Sequence, residues 1–61
     1  MQSNEHPRDR RVAAGLSQME AAVRAGVSIP TLRLYEANRE SVSEVLRGVL
    51  DKTYAAMVPK G

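Results

Sequence analysis

An all-α fold, a compact bundle of four helices, is what this sequence predicts, and three observations carry the expectation. Serines able to cap helix starts alternate with glycines able to end them. Apolar residues between these marks recur at steps of three and four. No stretch of strand length alternates apolar and polar residues with a period of two.

The first helix is expected over 8–14. Pro7 suits a first turn, where its missing N–H costs nothing. Val12 and Leu16 are read as facing inward, and Gly15 as ending the helix. The second helix is expected over 18–25. Ser17-x-x-Glu20 reads as a capping box, in which hydroxyl and carboxylate satisfy each other's backbone N–H groups. Ala21, Ala22 and Ala25 follow at helical spacing, and Gly26 stands where a left-handed terminator is wanted. Ser28 then caps a third helix over 29–37, with Pro30 in its first turn and Leu32 and Tyr35 on its inward face. Asn38 tolerates a left-handed ending.

A fourth helix is expected over 42–57, opened by a second capping box, Ser41-x-x-Glu44, with a later start capped by Ser43 left open. Val42, Val45, Leu46, Val49, Leu50, Tyr54 and Met57 define one apolar stripe along it, most of it core, and Gly48 weakens its interior slightly. The organisation that follows is a flexible N-terminal segment 1–6, one domain over 7–58, and a tail 59–61.

Composition narrows the function. A chain of 61 residues buries only roughly 60 % of its unfolded surface and needs support. With no cysteine and a single histidine, His6, neither disulfides nor a thiolate or histidine metal cluster can supply it. Tight helical packing or self-association remains. No apolar run is long enough to span a membrane and no secretory pattern is present, so no membrane partner and a cytoplasmic location are expected. No nucleophile–base pair and no glycine-rich phosphate loop point to an enzyme, and no cofactor is implied. The net charge of +2 is a weak signal, but Arg8, Arg10 and Arg11 cluster in the first helix, and Arg33 and Arg39 lie on and just after the third. Such arginines either face solvent or sit against phosphates.

Two short helices joined by a glycine turn form a helix-turn-helix arrangement, whose second helix is shaped for the major groove of DNA. Arg11, Gly15-Leu16-Ser17-Gln18, Ala22, Gly26-Val27-Ser28, Thr31-Leu32, Tyr35 and Glu36 stand in the register of the phage-repressor/Cro-type helix-turn-helix family, also called the xenobiotic-response-element family. The chain resembles that family over about residues 8–40 without a gap, and 41–61 fit it only loosely. The resemblance implies a double-stranded DNA partner. By it, Gln18 reaches a phosphate and braces the recognition helix, while Asn38 and Arg39 lie where the family meets the DNA backbone. It also implies a bridge between Arg11 and Glu36 that joins the first and third helices.

The largest departure lies in the third helix. The family reads base edges mainly from the positions held here by Ile29, Pro30 and Leu34, none of which offers paired donors or acceptors. These three can touch thymine methyls, leaving hydrogen-bonding readout to Ser28, Thr31 or Arg33. The leading expectation is a small sequence-specific transcriptional regulator that binds an inverted repeat as a homodimer. Leu50, Tyr54 and Met57, late on the fourth helix, are the expected dimer surface. The alternative is a protein-interaction module docking a partner through the apolar third helix. Val27-Ser28-x-x-Thr31-Leu32-Arg33-x-Tyr35-Glu36 is also similar to the first motif of the MerR-type family. That family needs a winged segment next, and here a capped helix follows instead.

Overall fold

In a computed structural model, residues 6–60 are described. The chain forms α1 (Pro7–Ala13), α2 (Gln18–Ala25), α3 (Ile29–Ala37), a 3₁₀ turn (Arg39–Ser41) and α4 (Glu44–Ala55). The expected all-α bundle is what is observed, with no strand among the described residues. Of the segment expected to be flexible, residues 1–5 lie outside the described residues, as does Gly61 of the tail.

Local chemistry sets the first three helices. His6 caps α1 by accepting the Arg8 N–H at Nδ1, 3.1 Å away. The Ser17 hydroxyl accepts the Glu20 N–H at 3.0 Å while the Glu20 carboxylate accepts the Ser17 N–H at 2.8 Å. Those hydrogen bonds, the backbone one first, hold the Glu20 carboxyl below its ordinary pKa. Ser28 caps α3 through the Thr31 N–H at 3.2 Å. Both α1 and α2 end on a left-handed glycine, Gly15 at φ 73° and Gly26 at φ 74°. The Leu16 amide then turns back to the Arg11 carbonyl, and the Val27 amide to the Ala22 carbonyl, each at 3.1 Å. A Cβ in that conformation would be strained, which is why glycine stands at both sites.

The second half of the chain departs from expectation. Asn38 is extended, at φ −159°, and not left-handed. Its side chain accepts the Glu40 N–H at 3.1 Å and so starts the 3₁₀ turn. Ser41 lies inside that turn, so Ser43 is the cap of α4, accepting the Leu46 N–H at 3.3 Å. Between them Val42 is extended and buried in the core. α4 stops at Ala55, and Met57 packs into the core from beyond the helix.

Core membership is corrected at three places. Val12 is 54 % exposed, because Arg11 and Ala14 occupy the inward stripe of α1 and Val12 lies about 100° of helical rotation from Arg11. Val45 and Val49 are likewise outward, 77 % and 39 % exposed, while Leu46, Leu50 and Tyr54, four residues apart, face in. Leu50, Tyr54 and Met57, expected at a dimer surface, are buried inside the single chain and offer a second copy almost nothing. The core joins them to Ala14, Ala21, Ala22, Leu32, Tyr35 and Val42, with Leu16, Ala25, Val27, Ile29 and Leu46 packed around it. The expected tail returns to the body, where the Lys60 N–H bonds the Ala13 carbonyl at 2.8 Å.

The two faces of α4 should respond differently to truncation. Leu50→Ala should cost about 2–5 kcal/mol, whereas Val45→Ala should change stability by less than about 0.5 kcal/mol. Urea denaturation of both variants measures this, and equal costs would place Val45 in the core.

Candidate nucleic-acid interface

Every helix contributes to one buried carboxylate. Glu36 of α3 accepts Arg11 Nε of α1 at 2.6 Å on Oε2, and Arg11 Nη2 at 3.2 Å on Oε1. Gln18 Nε2 of α2 donates to Oε1 at 3.3 Å, and the Tyr54 hydroxyl of α4 donates to Oε2. An ionised carboxylate has about four acceptor positions, so this one is saturated. Arg11 spends its remaining nitrogen, Nη1, on the Leu16 carbonyl at 2.8 Å, beside the glycine stop of α1. The ion pair is nearly dry, with side-chain exposures of 9 % and 4 %. Burial works to raise the pKa of Glu36, but the donors from Arg11, Tyr54 and Gln18 hold it below the ordinary value. The hydrogen bond to Glu36 raises Arg11 above its own, against burial.

A second carboxylate answers the first. Asp51 of α4 accepts the Tyr35 hydroxyl of α3 at 2.7 Å, while Tyr54 of α4 reaches Glu36 of α3. The two tyrosine rings lie between these exchanges with centroids 5.1 Å apart. Burial first, then the bonded carboxylate, pushes both phenols well above their usual pKa. Asp51 also accepts Arg39 Nε at 2.9 Å and Arg39 Nη2 on its other oxygen, and its pKa falls to about 2, chiefly through Arg39.

These bonds present α3 at a fixed angle beside α2, joined by the turn Gly26-Val27-Ser28. The outward stripe of α3 is Pro30, Arg33, Leu34 and Ala37, all exposed. Ile29 is half-buried against the core, so the expected Ile29-Pro30-Leu34 patch is divided. Ser28 and Thr31 satisfy each other, hydroxyl to hydroxyl, at 2.9 Å. Arg33 donates Nε to Gln18 Oε1 at 3.1 Å, and no partner among the described residues engages its two terminal nitrogens. Gln18 therefore bridges inward and outward. Its amide nitrogen hangs on Glu36 and its amide oxygen holds Arg33.

Asn38 and Arg39, expected to meet the DNA backbone, both lie exposed just after α3. The side chain of Asn38 serves the 3₁₀ turn, and Arg39 is clamped by Asp51, with Glu40 at 3.4 Å. The structure also brings in residues that the sequence reading passed over. Asp51 has no motif to mark it, and Tyr54 reads as one more apolar step of a stripe, its hydroxyl unaccounted for. Arg47 binds the Val42 carbonyl at 3.1 Å and the Arg39 carbonyl at 3.3 Å, which pins the 3₁₀ turn to α4.

Two short helices across a three-residue turn, with a braced arginine on the outer face of the second, define a helix-turn-helix domain. Comparison with known families matches residues 8–59 to the helix-turn-helix domain, and the chain belongs to that family, which supports DNA binding. No curated protein and no solved structure matches it.

Removing either end of the buried pair should be severe. Glu36→Ala should cost roughly 3–5 kcal/mol, because it leaves a buried guanidinium unpaired. Tyr54→Phe removes one charge-assisted bond and should cost about 1.5–3 kcal/mol. Thermal unfolding followed by circular dichroism ranks them, and an Arg11→Ala/Glu36→Ala double mutant no less stable than Glu36→Ala would confirm the coupling.

Acid should unfold the domain through both carboxylates. Their folded pKa values lie below the unfolded ones, so their contribution is complete above the unfolded values of 4.5 for Glu36 and 3.8 for Asp51. It is lost as pH falls through the folded values, about 2 for Asp51. The melting temperature should be flat from about pH 5 to 7 and fall steeply below about pH 4. Asp51→Asn should flatten the lower part of that fall, and an unchanged profile would remove Asp51 from the account.

Proposed function

We propose that this domain is a sequence-specific DNA-binding transcriptional regulator of the phage-repressor/Cro type, working in the cytoplasm with α3 in the major groove. One observation carries the reading. Arg33 stands on the outer face of the second helix of the motif, held at Nε by Gln18, with its terminal nitrogens directed to no partner among the described residues. A guanidinium held at one nitrogen is suited to donate two parallel bonds to O6 and N7 of guanine. Pro30 and the 53 % exposed Leu34 flank it as apolar surface for thymine methyls. Gln18 thus acts chiefly by positioning Arg33, and its second amide hydrogen remains for a phosphate.

Recognition by a single helix of this size favours two copies. A homodimer on an inverted repeat would place two third helices about 34–36 Å apart, one turn of DNA. Docking of a protein on Pro30 and Leu34 is the second reading, favoured by the exposure of Leu34.

Selection of bound sites from random duplex DNA, with affinity measured against salt, separates the two. The expected site is an inverted repeat with a guanine at one fixed position in each half, and binding that weakens with salt. Arg33→Ala should relax the preference for that guanine by about 1–3 kcal/mol, roughly 5- to 150-fold. Gln18→Ala should lower the same preference by less. Arg39→Ala should leave the salt slope unchanged, because its charge is already matched by Asp51. No enrichment of any sequence, with binding insensitive to salt, would leave the protein-docking reading in its place.

A further inference from the structure

The face of α4 turned away from the core is an open shallow groove lined by Glu44, Val45, Gly48, Val49 and Lys52. Val45 is the most exposed large apolar side chain of the domain at 77 %, and Val49 is 39 % exposed beside it. Between them lies a glycine that the single chain does not require. Gly48 has an ordinary helical backbone, and a Cβ added there would meet nothing within 4 Å. Glycine inside a helix costs about 0.5–1 kcal/mol relative to alanine, and nothing within the fold offsets that cost here.

The charges on this face are arranged about that glycine. Glu44 and Lys52 stand four residues before and after Gly48. They are about 12 Å apart along the axis, too far to pair with each other. Neither forms an ion pair among the described residues. In an antiparallel copy of the same helix, related by a two-fold axis through Gly48, every Glu44 meets the Lys52 of the other chain. The two bare glycines then let the backbones approach while Val45 and Val49 close over the seam. A parallel arrangement would set Glu44 against Glu44 and Lys52 against Lys52, which like-charge repulsion disfavours.

We infer that the outer face of α4 is an antiparallel, two-fold self-association surface, and that its occupant is a second copy of this chain. The inference deepens the homodimer reading above and replaces Leu50, Tyr54 and Met57, which the core has taken, with Val45, Gly48 and Val49. One three-turn helix per chain buries less than a standard interface of about 1,600 Å², so the free dimer is weak and concentration-dependent.

Sedimentation equilibrium of the full chain without DNA, from micromolar to millimolar concentration at low salt, tests it. The mass should rise from one chain to two. Val45→Asp should hold it at one. Glu44→Lys and Lys52→Glu should each weaken association, and the two together should restore it. Gly48→Gln supplies an independent reading, because it should raise the melting temperature of the isolated domain while abolishing the dimer. A chain that stays monomeric at millimolar concentration overturns the inference. So does a dimer indifferent to Val45→Asp and Gly48→Gln, although a dimer of that kind would leave the two-fold reading of DNA recognition standing. Failure of the double charge exchange to restore association overturns the antiparallel register.

Discussion

The carboxylate of Glu36 is the constraint on which the rest of this domain depends. It accepts hydrogen bonds from a residue on each of the other three helices, Arg11, Gln18 and Tyr54, and thereby fixes their mutual positions around α3. An apolar core alone would tolerate some sliding of one helix over another, since dispersion and burial are not directional. A saturated carboxylate tolerates very little, because any displacement leaves a buried donor or acceptor unpaired. Among the described residues no buried side-chain polar atom lacks a partner, so the network is closed.

That closure suits a chain with little core to spend. Leu32 and Leu50 are the largest fully buried side chains, and much of the remaining core is alanine and valine. The two tyrosines extend it. Each contributes a ring to the packing and a hydroxyl to the opposite helix, Tyr35 to Asp51 and Tyr54 to Glu36. α3 and α4 are thus cross-linked in both directions. The small residues of α2, Ala21 and Ala22, let it lie close to the rest.

The first three helices were legible because short-range chemistry determines them. A serine, a glutamate three residues on, and a glycine whose φ must be positive leave few alternatives for α2, and the Ser28 cap fixes where α3 begins. The fourth was legible as a helix but not in its start or facing. Valine, leucine and tyrosine at steps of three and four make too wide a stripe, and only tertiary packing decides which edge is buried. Leu46, Leu50 and Tyr54 won that position, and Val45 and Val49 were left outside. Resemblance to a known family suggested a bridge between Arg11 and Glu36, but no local spacing announces that Gln18 and Tyr54 complete the same site. Their convergence is a property of the assembled bundle, with 18 residues separating each of them from Glu36.

The same economy bears on how DNA would be met. Arg11, Arg39 and Arg47 already engage carboxylates and carbonyls of the domain, so fewer cations are free to meet phosphates than the nine Lys and Arg residues suggest. Few phosphate contacts mean little counterion release and a shallow dependence on salt, at roughly 0.9 of a unit of slope per phosphate neutralised. Affinity from charge alone would then be small, and the proposed sequence-reading contact would matter more than in a strongly basic domain. In the proposed reading Arg33 would make that contact under a restriction the interior imposes. Its guanidinium is held by Gln18, Gln18 by Glu36, and Glu36 by Arg11 and Tyr54. A side chain held in this way gives up less conformational freedom on binding than a free one, which improves discrimination without adding a contact. The buried network that keeps the small bundle folded is thus also what holds the outward guanidinium of Arg33 in place.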